Sequence, residues 1–264
     1  MNNSNEKPKL HPYYLAYIDI LAVKEAINSD KSEEYLEKIN CLYNDVIAGL
    51  ERVKSDKFFI KPEIKIFSDN IVIAIKKEYP YTFREEIKQD LLINTVAYFQ
   101  MLGLKYSFLT RGGITVENLF LNQNFIYGKA LSIAYKIESD ISIFPRIVID
   151  NNCVNEFIQN NMIREYLKKD FDGICYLDSF QKYFDLTNGE DKEGLNILQN
   201  SLQEKLEEKT TDIKTPFKKY WIINKFNEFC KSNKYEKYMV NTDEYPYNPD
   251  YIRTTYSGRA KEFV

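Results

Sequence analysis

Ile64-Lys65-Ile66-Phe67-Ser68-Asp69-Asn70-Ile71-Val72-Ile73-Ala74 reads as two arms rich in isoleucine and valine around a polar centre. The partial alternation of apolar and polar residues predicts a β-hairpin with Asp69 at its turn. Earlier in the chain, the apolar run Tyr14-Leu15-Ala16-Tyr17-Ile18 ends in Asp19. A carboxylate flanked by apolar strand residues is costly to bury unless positive charge sits against it. Two such carboxylates, placed alike on two strands, point to a divalent metal ion and a phosphate-bearing substrate.

Working outward, a first strand is expected over Tyr13 to Asp19, then a loop and short helix through Ala26. A long amphipathic helix is expected from Ser32 to Lys54, with Tyr35, Ile39, Leu42, Val46, Ala48 and Leu50 at helical spacing. After the hairpin, Pro80 to Thr82 should open another helix that runs to Leu102 and is closed by Gly103. Lys105 to Val116 reads as a strand containing Gly112-Gly113, and a glycine pair there marks a bulge or a close approach by backbone or ligand. A short strand at Phe125-Ile126-Tyr127 and a helix over Lys129 to Ile137 follow. A strand at Arg146 to Asp150, a helix over Val154 to Leu167 and a strand at Ile174 to Leu177 complete the core.

This β–α–β–β–α–β order predicts an α/β (α+β) fold of the ferredoxin-like or palm kind, a twisted, mainly antiparallel sheet with flanking helices on one face. Beyond Gly189 the chain turns helical, at Leu195 to Glu208 and Thr215 to Lys231, and the tail after Asn241 reads as irregular. No linker rich in proline, glycine or serine separates a second unit. Residues 12–185 are therefore expected to form the catalytic domain, with 186–264 a helical extension packed on it.

Composition narrows the function. Of 264 residues, 36 are basic and 39 acidic, with no long block of one sign, which argues against non-specific nucleic-acid or membrane binding. No apolar stretch is long enough to cross a membrane, and the polar start lacks a signal peptide's apolar segment, so a cytoplasmic location is expected. Cys41, Cys153, Cys175 and Cys230 are scattered without metal-ligand spacing and are expected as reduced core residues. The single histidine, His11, stands outside the predicted site, and neither a P-loop nor GxGxxG occurs, so histidine catalysis, P-loop ATPase and dinucleotide functions lack support. The 21 tyrosines are expected to pack and hydrogen-bond at core edges.

In a palm-type sheet the end of the first strand lies beside the turn of the central hairpin, which would make Asp19 and Asp69 neighbours. Paired carboxylates can hold two metal ions about 3.5–4 Å apart, an arrangement suited to phosphoryl or nucleotidyl transfer. The residues after Asp19, namely Ile20, Leu21, Ala22 and Val23, lead into a helix start whose backbone N–H groups suit a triphosphate. Arg111 is expected either to contact an anion or base in the site or to form a structural ion pair.

Asp19-Ile20-Leu21-Ala22-Val23, Phe67-Ser68-Asp69-Asn70-Ile71-Val72, Arg111-Gly112-Gly113-Ile114 and the run from Ile126-Tyr127-Gly128 to Ile137-Glu138 resemble, in order, four segments of the class III nucleotide cyclases. The first is similar to the family's Asp-Ile-x-Gly-Phe signature and the second stands at its Gly-Asp hairpin. The spelling is closer to the bacterial pyrimidine cyclases of the Pycsar antiphage systems, and Lys218-Lys219-Tyr220-Trp221-Ile222 resembles a C-terminal helix of those proteins.

The resemblance implies that Asp19, Asp69 and the backbone of Ile20 bind Mg²⁺ or Mn²⁺. Lys65 matches a base-selecting position. Phe125 falls where adenylate cyclases read adenine with an aspartate, and a phenyl ring cannot accept that hydrogen bond. Ser132 replaces a ribose-orienting Asn, and Lys136 replaces a transition-state Arg, keeping charge without the bidentate fork. Ala22 replaces a glycine beside the phosphates. The resemblance further implies a head-to-tail homodimer, with Lys65, Phe125, Ser132 and Lys136 supplied by the partner chain. It would convert UTP or CTP into a cyclic nucleotide read by a separate effector during phage infection. A purine cyclase, kept open by Lys65, and a non-catalytic nucleotide-binding module, suggested by Ser132 and Lys136, are the alternatives.

Overall fold

The computed structural model describes residues 7–53, 60–78, 84–208 and 214–242. The expected helix opening at Pro80 to Thr82, the Lys54 end of the long helix and the tail beyond Thr242 lie outside the described residues.

Strand β1 (His11–Ile20) is central, with β3 (Asn70–Lys76) antiparallel on one side and β4 (Thr110–Leu121) antiparallel on the other. Strand β2 (Glu63–Phe67) pairs with β3 as a hairpin. Read across, β4-β1-β3-β2 is the strand order of the ferredoxin-like arrangement. The sheet then continues from β4 through β6 (Ile147–Ile149), which is parallel to it, to β8 (Cys175–Leu177) and β7 (Leu167–Lys169), while β5 (Ile126–Gly128) pairs with β4.

Because side chains alternate along a strand, β1 feeds two cores. Tyr14, Ala16, Ile18 and Ile20 join Ile71, Ile73 and Ile75 beneath α2 (Ser32–Val53) and α3 (Glu85–Lys105). Tyr13, Leu15 and Tyr17 join Val72 and Ala74 on the opposite face, where Ala130 and Ala134 of α4 (Lys129–Lys136) pack. Helices therefore cover both faces, correcting the one-faced expectation. The physical reason is that β1 and β3 are apolar at nearly every position, so neither face could stand in water.

Boundaries also moved. The helix expected to stop at Gly103 runs on to Lys105, and the Phe108 N–H then donates to the Gly103 carbonyl at 2.8 Å. The helix expected to reach Leu167 ends as α5 (Val154–Gln159), following α1 (Val23–Ile27) and α4 in chain order. Asn160 takes extended dihedrals there, and its side-chain amide donates to the Glu86 carbonyl and to Gln89 Oε1, both at 2.9 Å. Cys41 is exposed, unlike the other three cysteines, because it lies on the solvent side of α2.

Beyond the sheet, α6 (Ser179–Leu186), α7 (Lys192–Glu207) and α8 (Lys214–Ser232) bury a second apolar cluster against α3. At its edge Arg146 is fully buried, and its guanidinium donates to Asp170 Oδ2 at 2.6 Å and to Asp172 Oδ1 at 3.0 Å. The Trp221 indole of α8 donates to the same Asp170 oxygen at 2.7 Å and stacks on Phe144. This network ties the last helix to the far end of the sheet.

Candidate functional site

Asp19 and Asp69 meet at one end of the sheet. The Ile20 N–H, one residue past Asp19, donates to the Asp69 carbonyl at 3.0 Å, and Asp19 stands opposite Asn70 in the β1–β3 register. Ser68 and Asp69 form the two-residue turn, with Ser68 in the left-handed region at φ 57°, as tight hairpin turns demand. The Tyr17 hydroxyl donates to Asn70 Oδ1 at 2.7 Å, and the Asn70 amide donates to Asp69 Oδ1 at 3.0 Å. A strand residue thus steadies the turn carboxylate through one intermediary. Burial and the charges of Glu138 and Asp19 push the Tyr17 hydroxyl well above its ordinary pKa, so it stays a donor.

On the other side, Asp19 is the direct cross-strand partner of Arg111. The Arg111 Nε lies 3.6 Å from Asp19 Oδ2, while its terminal nitrogen lies 2.6 Å from Glu138 Oε1. Glu138 belongs to a π-helical turn, Ile137–Ile141, that continues α4, and such turns are frequent at functional sites. Gly113, the second glycine of the pair in β4, admits this segment. A Cβ on Gly113 would stand 2.6 Å from Ile137 Cβ and 2.7 Å from the Ala134 carbonyl oxygen, so the glycine marks a close backbone approach.

Two carboxylates therefore face one guanidinium, with Asp69 close enough to add its charge to theirs. Burial pushes the Asp19 carboxyl up to about 6; Arg111 pulls it down, the charge of Asp69 adds to the rise, and Lys218 of α8 opposes it. Burial likewise pushes Glu138 up to about 7, against the pull of Arg111. Burial, more than missing positive charge, holds these carboxylates above their ordinary range, and an all-oxygen donor set suits a hard divalent cation. Among the described residues, no three His, Cys, Asp or Glu side chains converge to hold a metal by themselves. The two carboxylates Asp19 and Asp69 are the number required by the other mode, in which Mg²⁺ takes one or two carboxylates and completes its shell with water and substrate phosphate.

The backbone after Asp19 is partly used by the fold. The Ile20 N–H serves Asp69, and the Leu21 N–H donates to the Leu109 carbonyl at 2.8 Å. Ala22 sits in the left-handed region at φ 68° as the N-cap of the five-residue α1, a conformation that costs a non-glycine residue about 1 kcal/mol or more. The glycine-like geometry is thus kept with an alanine in it, and Val23 opens α1 as a buried residue.

The remaining expected residues lie elsewhere. Lys65 on β2 donates to the Gln123 carbonyl at 2.9 Å. Phe125 is 53% exposed and leans on Phe120. Ser132 and Lys136 are exposed on α4, one turn apart. Ser132 lines a 780 Å³ apolar groove with Tyr17, Phe67, Tyr127 and Tyr135. Among the described residues, no hydrogen bond or ion pair joins these four to Asp19 or Asp69. Two groups were missed as site residues. Glu138 stood within a quoted motif without a role, and a basic residue from Lys218-Lys219 gave no sign that α8 returns to the strand ends.

No family model and no curated protein matches the chain. Among solved structures, it is similar to a bacterial light-regulated adenylyl cyclase at 16% identity and a TM-score of 0.46. That likeness covers 76% of this chain and 59% of the other, so the chain spans less than two thirds of that protein's length. Among the described residues, no helix is long and apolar enough to cross a membrane.

Proposed function

We propose that this chain is a nucleotide cyclase, and specifically a pyrimidine one, that forms 3′,5′-cyclic UMP or CMP and pyrophosphate from UTP or CTP. The observation that carries the reading is the meeting of Asp19 and Asp69 at the end of β1 and the β2–β3 turn, with Arg111 opposite. The resemblance of four segments to class III cyclases supports it. The 3′-oxygen bonds to the α-phosphorus, the bond to the β-phosphate oxygen breaks, and the hydroxyl proton leaves to solvent. Asp19, Asp69 and the Ile20 carbonyl would hold Mg²⁺ or Mn²⁺, which when bound would lower the hydroxyl pKa and offset charge on the departing pyrophosphate. Asn70 and Tyr17 keep the Asp69 carboxylate aimed, and Ala22 and Val23 border the triphosphate.

The site is completed, on this reading, by a second copy in head-to-tail contact. Exposed Phe67, Tyr127 and Tyr135 line the groove on which Ser132 stands, an apolar surface of the kind that marks interfaces. The partner chain would contribute Lys65 and Phe125 to the base, Ser132 to the ribose and Lys136 to the phosphate. Phe125 favours a pyrimidine over adenine, because it offers the exocyclic amine no acceptor. The cyclic product would act as an antiphage second messenger on a separate effector, with the enzyme in the cytoplasm.

The test is incubation of the purified protein with each of the four nucleoside triphosphates and Mn²⁺, followed by product analysis. Cyclic UMP or CMP is expected, lost in Asp69→Asn without change in the circular dichroism spectrum. Product chiefly from ATP or GTP would replace the pyrimidine reading with the purine one that Lys65 keeps open. No product from any triphosphate by an intact dimer would leave a nucleotide-binding module.

A further inference from the structure

An arginine directly opposite an aspartate on a neighbouring strand should close on it as a bidentate pair, the strongest geometry available to both. Arg111 does not. Its Nε stays 3.6 Å from Asp19, while its terminal nitrogen lies 2.6 Å from Glu138 Oε1 as an ion pair without hydrogen-bond alignment, so that Nε and Glu138 Oε1 are both buried without a hydrogen-bond partner. Two carboxylates compete for one guanidinium, and the less exposed one lies closer to it: the Glu138 side chain is 4% exposed and that of Asp19 is 18%. Charge pairs strengthen as water is excluded, and a buried carboxylate left without a partner is costly. The placement of Glu138 is a tertiary arrangement, made by the π-helical turn after α4 and by the glycine at 113 that admits it.

We propose that Glu138 is a positioning residue that holds the Arg111 guanidinium off Asp19 and so keeps the Asp19–Asp69 pair open to a divalent cation. This rests on reading that pair as metal ligands. Without Glu138, the guanidinium closes on Asp19 and becomes a built-in cation that the metal must displace. With both Glu138 and Arg111 neutral, the competitor is gone and the carboxylates are open again.

The experiment is Mn²⁺ titration of the full chain at pH 8 without nucleotide, by calorimetry and by the electron paramagnetic resonance of free Mn²⁺. Glu138→Gln should weaken binding roughly 10- to 100-fold, the usual range for loss of an outer partner of a metal site. Glu138→Gln combined with Arg111→Met should restore it to about the wild-type value, a rescue that a purely structural role for Glu138 would not give. Glu138→Asp, which keeps the charge one methylene further back, should weaken binding by an intermediate factor and serves if Glu138→Gln does not fold. Wild-type affinity in both single variants, or a double variant no tighter than Glu138→Gln, overturns the proposal. Wild-type protein that binds no Mn²⁺ overturns the metal reading beneath it as well.

Discussion

At the scale of the residue, the proton on Glu138 links the site to stability. Its carboxyl is raised to about 7 by burial, with the charge of Asp19 adding to the effect and Arg111 opposing it. An unfolded glutamate releases its proton near its ordinary value of about 4.3. Between these values the folded state of the metal-free protein binds more protons than the unfolded state, so stability falls as pH rises. This group's stabilising contribution is therefore complete below about pH 4.3 and gone once pH has passed about 7. We expect wild-type protein to lose thermal stability relative to Glu138→Gln across that window, read from melting temperatures in chelator at half-unit pH steps. A difference that stays constant would show that Glu138 does not titrate there.

At the scale of the element, the tie between α8 and the sheet is an ion network rather than a purely apolar contact. Arg146, Asp170 and Asp172 have side chains 0%, 2% and 6% exposed, and Trp221 shares one Asp170 oxygen. Removing one member of a buried ionic group leaves the others uncompensated, at a cost of about 3–5 kcal/mol. Arg146→Met should therefore lower unfolding free energy by about that amount in urea titrations followed through Trp221, the single tryptophan. A change within about 0.5 kcal/mol, the range of ordinary surface substitutions, would mean the network adds little. Nothing in the sequence announced it: Arg146 opened a predicted strand, Asp170 and Asp172 lay in an unassigned stretch, and the three meet only when the start of β6 and the β7–β8 turn converge, where Trp221 of α8 joins them. The β-hairpin around Asp69, by contrast, was legible because alternation and turn chemistry are local. The end of α5 was not, because the groups that stop it, Glu86 and Gln89, lie on α3.

At the scale of the molecule, α7 and α8 are joined to the core through shared apolar packing. Met101 and Leu104 of α3 and Phe180 and Phe184 of α6 are buried in the same cluster as Leu198, Leu202 and Phe226. Ending the chain after Leu186 would expose that cluster, and contiguous apolar surface of this kind drives association. We expect such a truncated chain to aggregate on size-exclusion chromatography. A monodisperse product with the wild-type melting temperature would instead make 186–264 a separable extension. The sequence by itself determined what is periodic or local: the apolar β1, the hairpin with Asp69 at its tip, the long helices and the strand sequence of a ferredoxin-like core. Only the tertiary structure decided that both sheet faces are covered, that buried Glu138 pairs with Arg111, that Lys218 acts on Asp19, and that Arg146 anchors α8. The reason is physical. Strand and helix propensity act between neighbours in the chain, whereas charges choose among partners only after burial has brought distant segments together and removed the water between them.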